Sequence, residues 1–261
     1  VAASRAALTS APAARCSRSS HPAPVAPPPP PAAAAPPPSA ERVARAAARV
    51  AAAAAELDAS PFLAGVKLAL TGAGLLGNDA GAPRALVVFG LGSLEAPGAV
   101  VLHQAALTLL LAAAFAASLS SRPEAFDPVA TPLDRAVLEH LGVAALTLDE
   151  GGRRVARSKT LFWMPHCDAE LTDALVEANL EVGMLHNVAI LGNSFEAVAE
   201  RWAAGGAAPA GRRRPGALLA ARAAGRVAER RVPEAGAPTG AFNDLALHTF
   251  GRGDSSAGLE G

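Results

Sequence analysis

Residues 85–95, ALVVFGLGSLE, limit what this chain can fold into more than any other stretch. Leu86, Val87, Val88 and Phe89 form a consecutive apolar run, the pattern of a parallel strand buried on both faces. Gly90 and Gly92 then permit a tight turn. Ser93 follows, where its hydroxyl and nearby backbone N–H groups would meet the partial positive charge at the start of the next helix. Strand, glycine turn and helix in that order open a nucleotide-binding type of α/β fold, with a candidate ligand site at the turn.

Downstream, strand and helix signals alternate as a parallel sheet requires. Strands are expected at 125–129, 143–148, 160–165 and 188–191, with an edge strand inside 242–250. Ser39 caps an expected helix to about Leu57, whose thin alanine face would sit at the domain edge. Phe62, Leu63, Val66, Leu68 and Leu70 mark a second amphipathic segment. Further helices are expected at 99–118, 133–141 with Thr131 as cap and Pro132 in first position, 171–182, 195–203 and 217–231. The last would carry Arg222, Arg226 and Arg230 on one face, read as a solvated side. The run 99–118 is long enough for a membrane span, but it contains His103 and Gln104 and follows the first strand, so it is placed on the sheet. Being apolar all round, it needs a further cover, from the Ser39 helix or the Phe62 segment. The expected fold is α/β: one doubly wound, mostly parallel Rossmann-like sheet of about five or six strands with helices on both faces.

Composition sets the limits of that domain. Alanine inflates the 51% apolar fraction, so the core must come from the Leu, Val and Phe clusters that begin near Phe62. Residues 39–250 are therefore read as one domain, with 203–216 as a flexible Arg/Gly-rich insertion and 251–261 as a flexible tail. The tail's Arg252, Gly253 and Asp254 are too short a motif to signify adhesion. Residues 1–38, rich in Ala, Pro and Ser and without an acid, cannot bury enough surface to offset chain entropy and are expected to be disordered. Such an Arg- and Ser-containing leader resembles a plastid or other organelle transit peptide; the preferred reading is a low-complexity extension. Twenty-three basic and 23 acidic residues balance, so no whole-chain field draws the protein to nucleic acid or to a membrane. Cys16 and Cys167 do not make a disulfide framework, and a reducing compartment is expected.

Ligands of a doubly wound sheet lie beyond the carboxyl ends of its strands. The polar residues just past each apolar run are Ser93 and Glu95, Asp127, Asp149 and Glu150, His166 and Cys167, and Asn193 and Ser194. With Gly90, Gly92, Asn243 and Asp244, most of these form the candidate ligand-binding set. Asp127 closes the second strand, where a carboxylate can hold ribose hydroxyls of a nucleotide or of S-adenosylmethionine, although the turn lacks a full G-x-G-x-x-G. Alternatively Asp127 closes the turn at Pro128, and Asn193 and Ser194 cap the next helix. His166 beside Cys167 raises a metal or haem site, but adjacent side chains on an extended segment diverge, and closure would need His248 or His103. No metal site is expected, no catalytic residue is assigned, and the cofactor stays unknown.

Six segments and one glutamine read together carry a family resemblance: GLGSLE at 90–95 with Gln104, FDPV at 126–129, DEGG at 149–152, TLFWMPHC at 160–167, ILGNSF at 190–195 and AFNDLALHTF at 241–250. In this order they resemble the Sensitivity to Red Light Reduced family, with departures at Leu148 and Leu245. The resemblance implies a regulator of phytochrome-dependent red-light signalling and circadian-clock input, found in nucleus and cytoplasm, with no established catalytic reaction. It also implies, from animal members, a link to haem biosynthesis. A small-molecule ligand and protein partners are expected but not identified. A Rossmann-type nucleotide- or S-adenosylmethionine-binding enzyme and a haem-binding module stand as alternatives.

Overall fold

A computed structural model describes residues 37–77, 79–95, 97–204, 213–238 and 240–251. The expected leader up to residue 36, positions 205–212 of the insertion and the tail beyond Gly251 lie outside the described residues. Ser39 caps α1 (Ala40–Asp58) by accepting the Arg42 N–H, and Ser60 caps α2 (Pro61–Gly72) by accepting the Leu63 N–H. Pro61 occupies the first turn of α2, where its missing N–H costs nothing. β1 (Ala85–Phe89) leads through the glycine turn into α3 (Ala99–Ala114). Then come β2 (Glu124–Phe126), α4 (Pro132–His140), β3 (Ala144–Ala145), β4 (Thr160–Met164), α5 (Ala169–Glu181), β5 (Val188–Asn193) and α6 (Phe195–Ala203). The last elements are α7 (Gly216–Ala223), β6 (Val227–Arg231) and β7 (Leu245–Phe250).

One sheet holds all seven strands in the order β3-β2-β1-β4-β5-β7-β6. Every pair is parallel except those made by β7, which runs antiparallel to both neighbours. This is the expected α/β sheet with one strand more than anticipated, because residues 217–231 are not a single helix. α7 ends at Ala223, and Gly225, at φ +65°, turns the chain while its N–H and that of Arg226 cap the carbonyls of Arg222 and Ala221. β6 then finds a partner in β7. Arg222, Arg226 and Arg230 consequently lie on a helix, a turn and a strand rather than along one face. The expected edge strand in 242–250 is also corrected: β7 lies inside the sheet, and the edges are β3 and β6.

Alternation along β1 sorts the core into two layers. Leu86 and Val88 face the layer built with α1 to α4, while Val87 and Phe89 face the layer built with α5 to α7. α1 packs on α3 and α4 and buries Ala47, Val50, Ala53 and Leu57. It therefore supplies the cover that the apolar α3 requires, and it belongs to the core rather than to the domain edge. The β3–β4 connection, residues 146–159, crosses the second layer without a helix. It is fastened to α5 instead: Asn179 accepts the Ala156 N–H and donates to the Arg154 carbonyl, each at 2.8 Å. Arg153 pairs with Glu177 and Glu181 of the same helix.

Candidate functional site

Because β2, β1, β4 and β5 are neighbours in the sheet, their carboxyl ends set Asp127, the 90–95 turn, His166 with Cys167, and Asn193 along a single rim. Direct bonds join them. Asp127 accepts the Gly92 N–H at 2.7 Å, the Cys167 thiol lies 3.3 Å from the Phe89 carbonyl, and the Asn193 amide donates to the Cys167 carbonyl at 2.9 Å.

The glycine turn has the expected backbone, with Gly90 at φ +75° and Gly92 at φ +77°. The N–H groups of Gly90, Gly92, Leu94 and Glu95, however, are already engaged. Asp127 takes the Gly92 N–H through one oxygen and the Val129 N–H, at 2.8 Å, through the other, closing the turn over Pro128. Asp134, buried in the first turn of α4, takes the Leu94 N–H at 2.7 Å, the Ser93 hydroxyl at 3.2 Å and the Thr131 N–H at 2.7 Å. The negative charge expected at this turn is thus the protein's own. Ser93 also accepts the Glu95 N–H, and the Glu95 side chain pairs with Arg42 of α1 at 2.7 Å. Sequence reasoning missed Asp134 at this turn. Its only local signal is the Thr131 capping box, which the structure contains in full.

His166 is a non-glycine residue at φ +49°, and its Nε2–H points at the carbonyls of Gly240 and Ala241, each 3.1 Å away. Gln104 of α3 donates to the same Ala241 carbonyl at 3.1 Å. These two side chains fix the segment ahead of β7, whose Phe242 stacks on Phe62. Cys167 turns the other way. Burial, then the charges of Asp127 and Asp168, push its thiol up to about 12, which makes it a poor nucleophile at neutral pH. Among the described residues no group of three His, Cys, Asp or Glu side chains could hold a metal ion.

Ser194 caps α6 through the Ala197 N–H and donates its hydroxyl to Glu229 of β6 at 2.6 Å. Glu229 also accepts the Glu196 N–H and lies 3.6 Å from Nε2 of the fully buried His248. Burial pushes the Glu229 carboxyl up, but the neighbouring His248 ring and the Ser194 hydroxyl outweigh it and bring it down to about 2. The Ile190 carbonyl, 3.2 Å from Nδ1 of His248, can only accept, so Nδ1 carries a proton and Nε2 receives the Phe195 N–H when the ring is neutral. Asn243 and Asp244 are exposed, with Asp244 at φ +56° accepting the Ser194 N–H through its carbonyl. Glu150 does not join the rim group; it pairs with Arg154, which also binds Glu124 at the start of β2.

Beside Asp127 a cleft of about 350 Å³, open solvent included, is walled by Leu91, Leu94, Phe126, Leu138 and Leu146 among others. Only about 10 Å³ of it admits the centre of a water-sized sphere, room for about one water.

A family model described as the SRR1 domain matches residues 73–249. The chain belongs to the SRR1 domain family. Protein SENSITIVITY TO RED LIGHT REDUCED 1 of Arabidopsis thaliana is 35% identical over 116 residues, 44% of this chain and 42% of that protein. An SRR1-like protein of Mus musculus is 38% identical over 77 residues, 29% of this chain and 31% of that one. The matched stretches span less than half of either relative. A crystal structure of a Corynebacterium glutamicum protein aligns with a TM-score of 0.38 at 15% identity, covering 79% of this chain and 89% of that one, a likeness too distant to bear on fold or site. The SRR1 match begins after α2 and ends within β7, so α1, which covers α3, lies outside it. No helix among the described residues is long and apolar enough to cross a membrane.

Proposed function

We propose that this SRR1-family protein is a regulator of red-light responses, acting in phytochrome signalling and clock input, in nucleus and cytoplasm, through contacts with protein partners. The name of the Arabidopsis relative supports the red-light part. The observation that carries the regulatory rather than catalytic part is the state of the glycine turn. Asp127 and Asp134 take the Gly92 and Leu94 N–H groups, two of those that would cradle a phosphate, and a bound nucleotide would meet the repulsion of both carboxylates. The test is expression of this chain in an Arabidopsis line lacking its SRR1-family protein, scored by growth under red light and by the period of a clock reporter. Restoration of both is expected. Failure to restore either would overturn the proposal.

Binding of S-adenosylmethionine or a nucleotide is the second reading, favoured by the position of Asp127 at the end of β2 beside the apolar cleft. Each Asp127 oxygen keeps a second lone pair that a ribose hydroxyl can use. A thermal-shift panel of methyl donors and nucleotides tests it: a rise in Tm that Asp127→Ala abolishes would favour this reading over the regulator.

A further inference from the structure

Of the two edge strands, β3 is only two residues long, whereas β6 offers five, Val227–Arg231. The register with β7 decides which way its backbone points. Gly251 donates to the Arg226 carbonyl and Val232 to the Leu245 carbonyl, so in this antiparallel ladder the even-numbered residues of β6 are the ones bonded to β7. The N–H and C=O groups of Val227, Glu229 and Arg231 therefore turn outward, and none of them has a partner among the described residues. Such a row of open backbone groups is a template for one more strand.

The edge also carries one sign of charge. Glu229 is turned inward, where the Ser194 hydroxyl, the Glu196 N–H and His248 engage its carboxylate. Arg222 and Arg231 share the single carboxylate of Glu196. Arg226, just ahead of the strand, and Arg230, on the face opposite to Glu229, are exposed and make no ion pair among the described residues. The arginines expected along a solvated helix face thus stand along an open sheet edge instead. Two copies of this edge laid together would set these cations against each other, which opposes pairing between copies. An acidic strand meets no such repulsion. A nucleic acid could use the arginines, but its phosphates have no donor for the three outward carbonyls.

We infer that β6 is the docking edge for an extended acidic segment of a protein partner, which adds to the sheet as a strand antiparallel to β6 and sets carboxylates beside Arg226 and Arg230. The inference deepens the regulator reading and rests on it only in supposing a protein partner. The probe is the fluorescein-labelled peptide EEVTVE, titrated with the full chain at low salt and followed by fluorescence anisotropy, with amide exchange read by NMR. Binding is expected, with slowed exchange at Val227, Glu229 and Arg231. It should weaken as salt rises towards about 0.5 M and by about fivefold in Arg230→Glu, while Arg45→Glu on α1 leaves it unchanged. Val227→Pro removes an outward N–H and no bond to β7, so it should melt as the native chain does and bind the peptide poorly. Methylating the amide nitrogens of the two valines of the peptide, which would face Glu229 and Val227, keeps its charge and should abolish binding. The docking edge is overturned if EEVTVE does not bind, if the methylated peptide or KKVTVK binds equally well, if Arg45→Glu weakens binding as much as Arg230→Glu, or if a thymidine hexanucleotide binds more tightly than the peptide. A native dimer in sedimentation that Val227→Pro abolishes would overturn it in favour of a second copy. The red-light assay separates the two proposals. If the native chain fails to restore the response, the regulator reading falls while the peptide titration still decides the edge. If Arg230→Glu loses the peptide yet restores the response in full, the edge falls as the means of action and the regulator reading stands.

Discussion

Asp127 and Asp134 do for the glycine turn what a bound anion does in a nucleotide-binding protein, and their removal has unequal costs. Asp134 is 1% exposed and serves three donors, so Asp134→Ala should cost about 3 kcal/mol, since each buried donor left without an acceptor is penalised. Asp127→Ala strands two donors nearer to solvent and should cost about half as much; urea denaturation of the two variants measures the order. Gly90 is held for a second reason besides its positive φ: a Cβ there would lie 2.8 Å from the Cys167 sulfur. Gly90→Ala should therefore destabilise the protein by about 2–3 kcal/mol, and adding Cys167→Ala should recover the steric part while leaving the backbone strain of about 1 kcal/mol. Glu229 gives a pH signature. Its folded pKa of about 2 lies below the ordinary 4.5, so its stabilising effect is whole above about pH 4.5 and is lost as pH falls towards 2. Glu229→Gln should be less stable than the native protein at pH 7, by about 3 kcal/mol at most, and the difference should vanish near pH 2.

Elements whose ends are set by neighbouring residues were legible in the sequence. Ser39, Thr131 with Pro132, and Ser194 mark helix starts through hydrogen bonds three residues long, and α6 occupies the span its pattern predicts. The 85–89 strand followed by the glycine turn needed nothing beyond its own residues. What was illegible depends on partners far along the chain. Asp134 reaches a turn some 40 residues before it, Glu229 lay inside an expected helix, and β6 exists because β7 offers it a ladder. α1 was undervalued for a related reason: alanine buries little area, but on α1 it allows close approach to α3, so Val50 and Leu57 reach 0% and 1% exposure. Leu57→Ala should accordingly cost about 2–4 kcal/mol, as for a core leucine, whereas Leu68→Ala on α2, where the side chain is 72% exposed, should change stability by less than about 0.5 kcal/mol. Thermal melts of the pair distinguish a core-facing position from a solvent-facing one.

Across the molecule the same sheet has two unlike edges. At the carboxyl ends of the parallel strands, the side chains of Asp127, Cys167 and Asn193 bond to backbone groups of their neighbours; at the amino ends a hollow lined by Arg157 and Ser158 stays open beside the β3–β4 connection, which has no helix. A chain stopped after Asp244 would lack β7 and, with it, the antiparallel pairs on both sides; such a variant should lose cooperative unfolding altogether, as read by circular dichroism against temperature.

The place of β7 between β5 and β6 also bears on how the polypeptide is made. A nascent chain leaving the ribosome can assemble β1 to β5 as they emerge, but β6 then hangs without a neighbour until the ten or so residues ending at Phe250 have cleared the exit tunnel. Until that moment β5 is itself a bare margin of Ile190 and Leu191, able to recruit any passing strand. Synthesis rate over the final segment, and chaperone capture during it, should therefore govern yield in the cell more than the stability of the finished protein does.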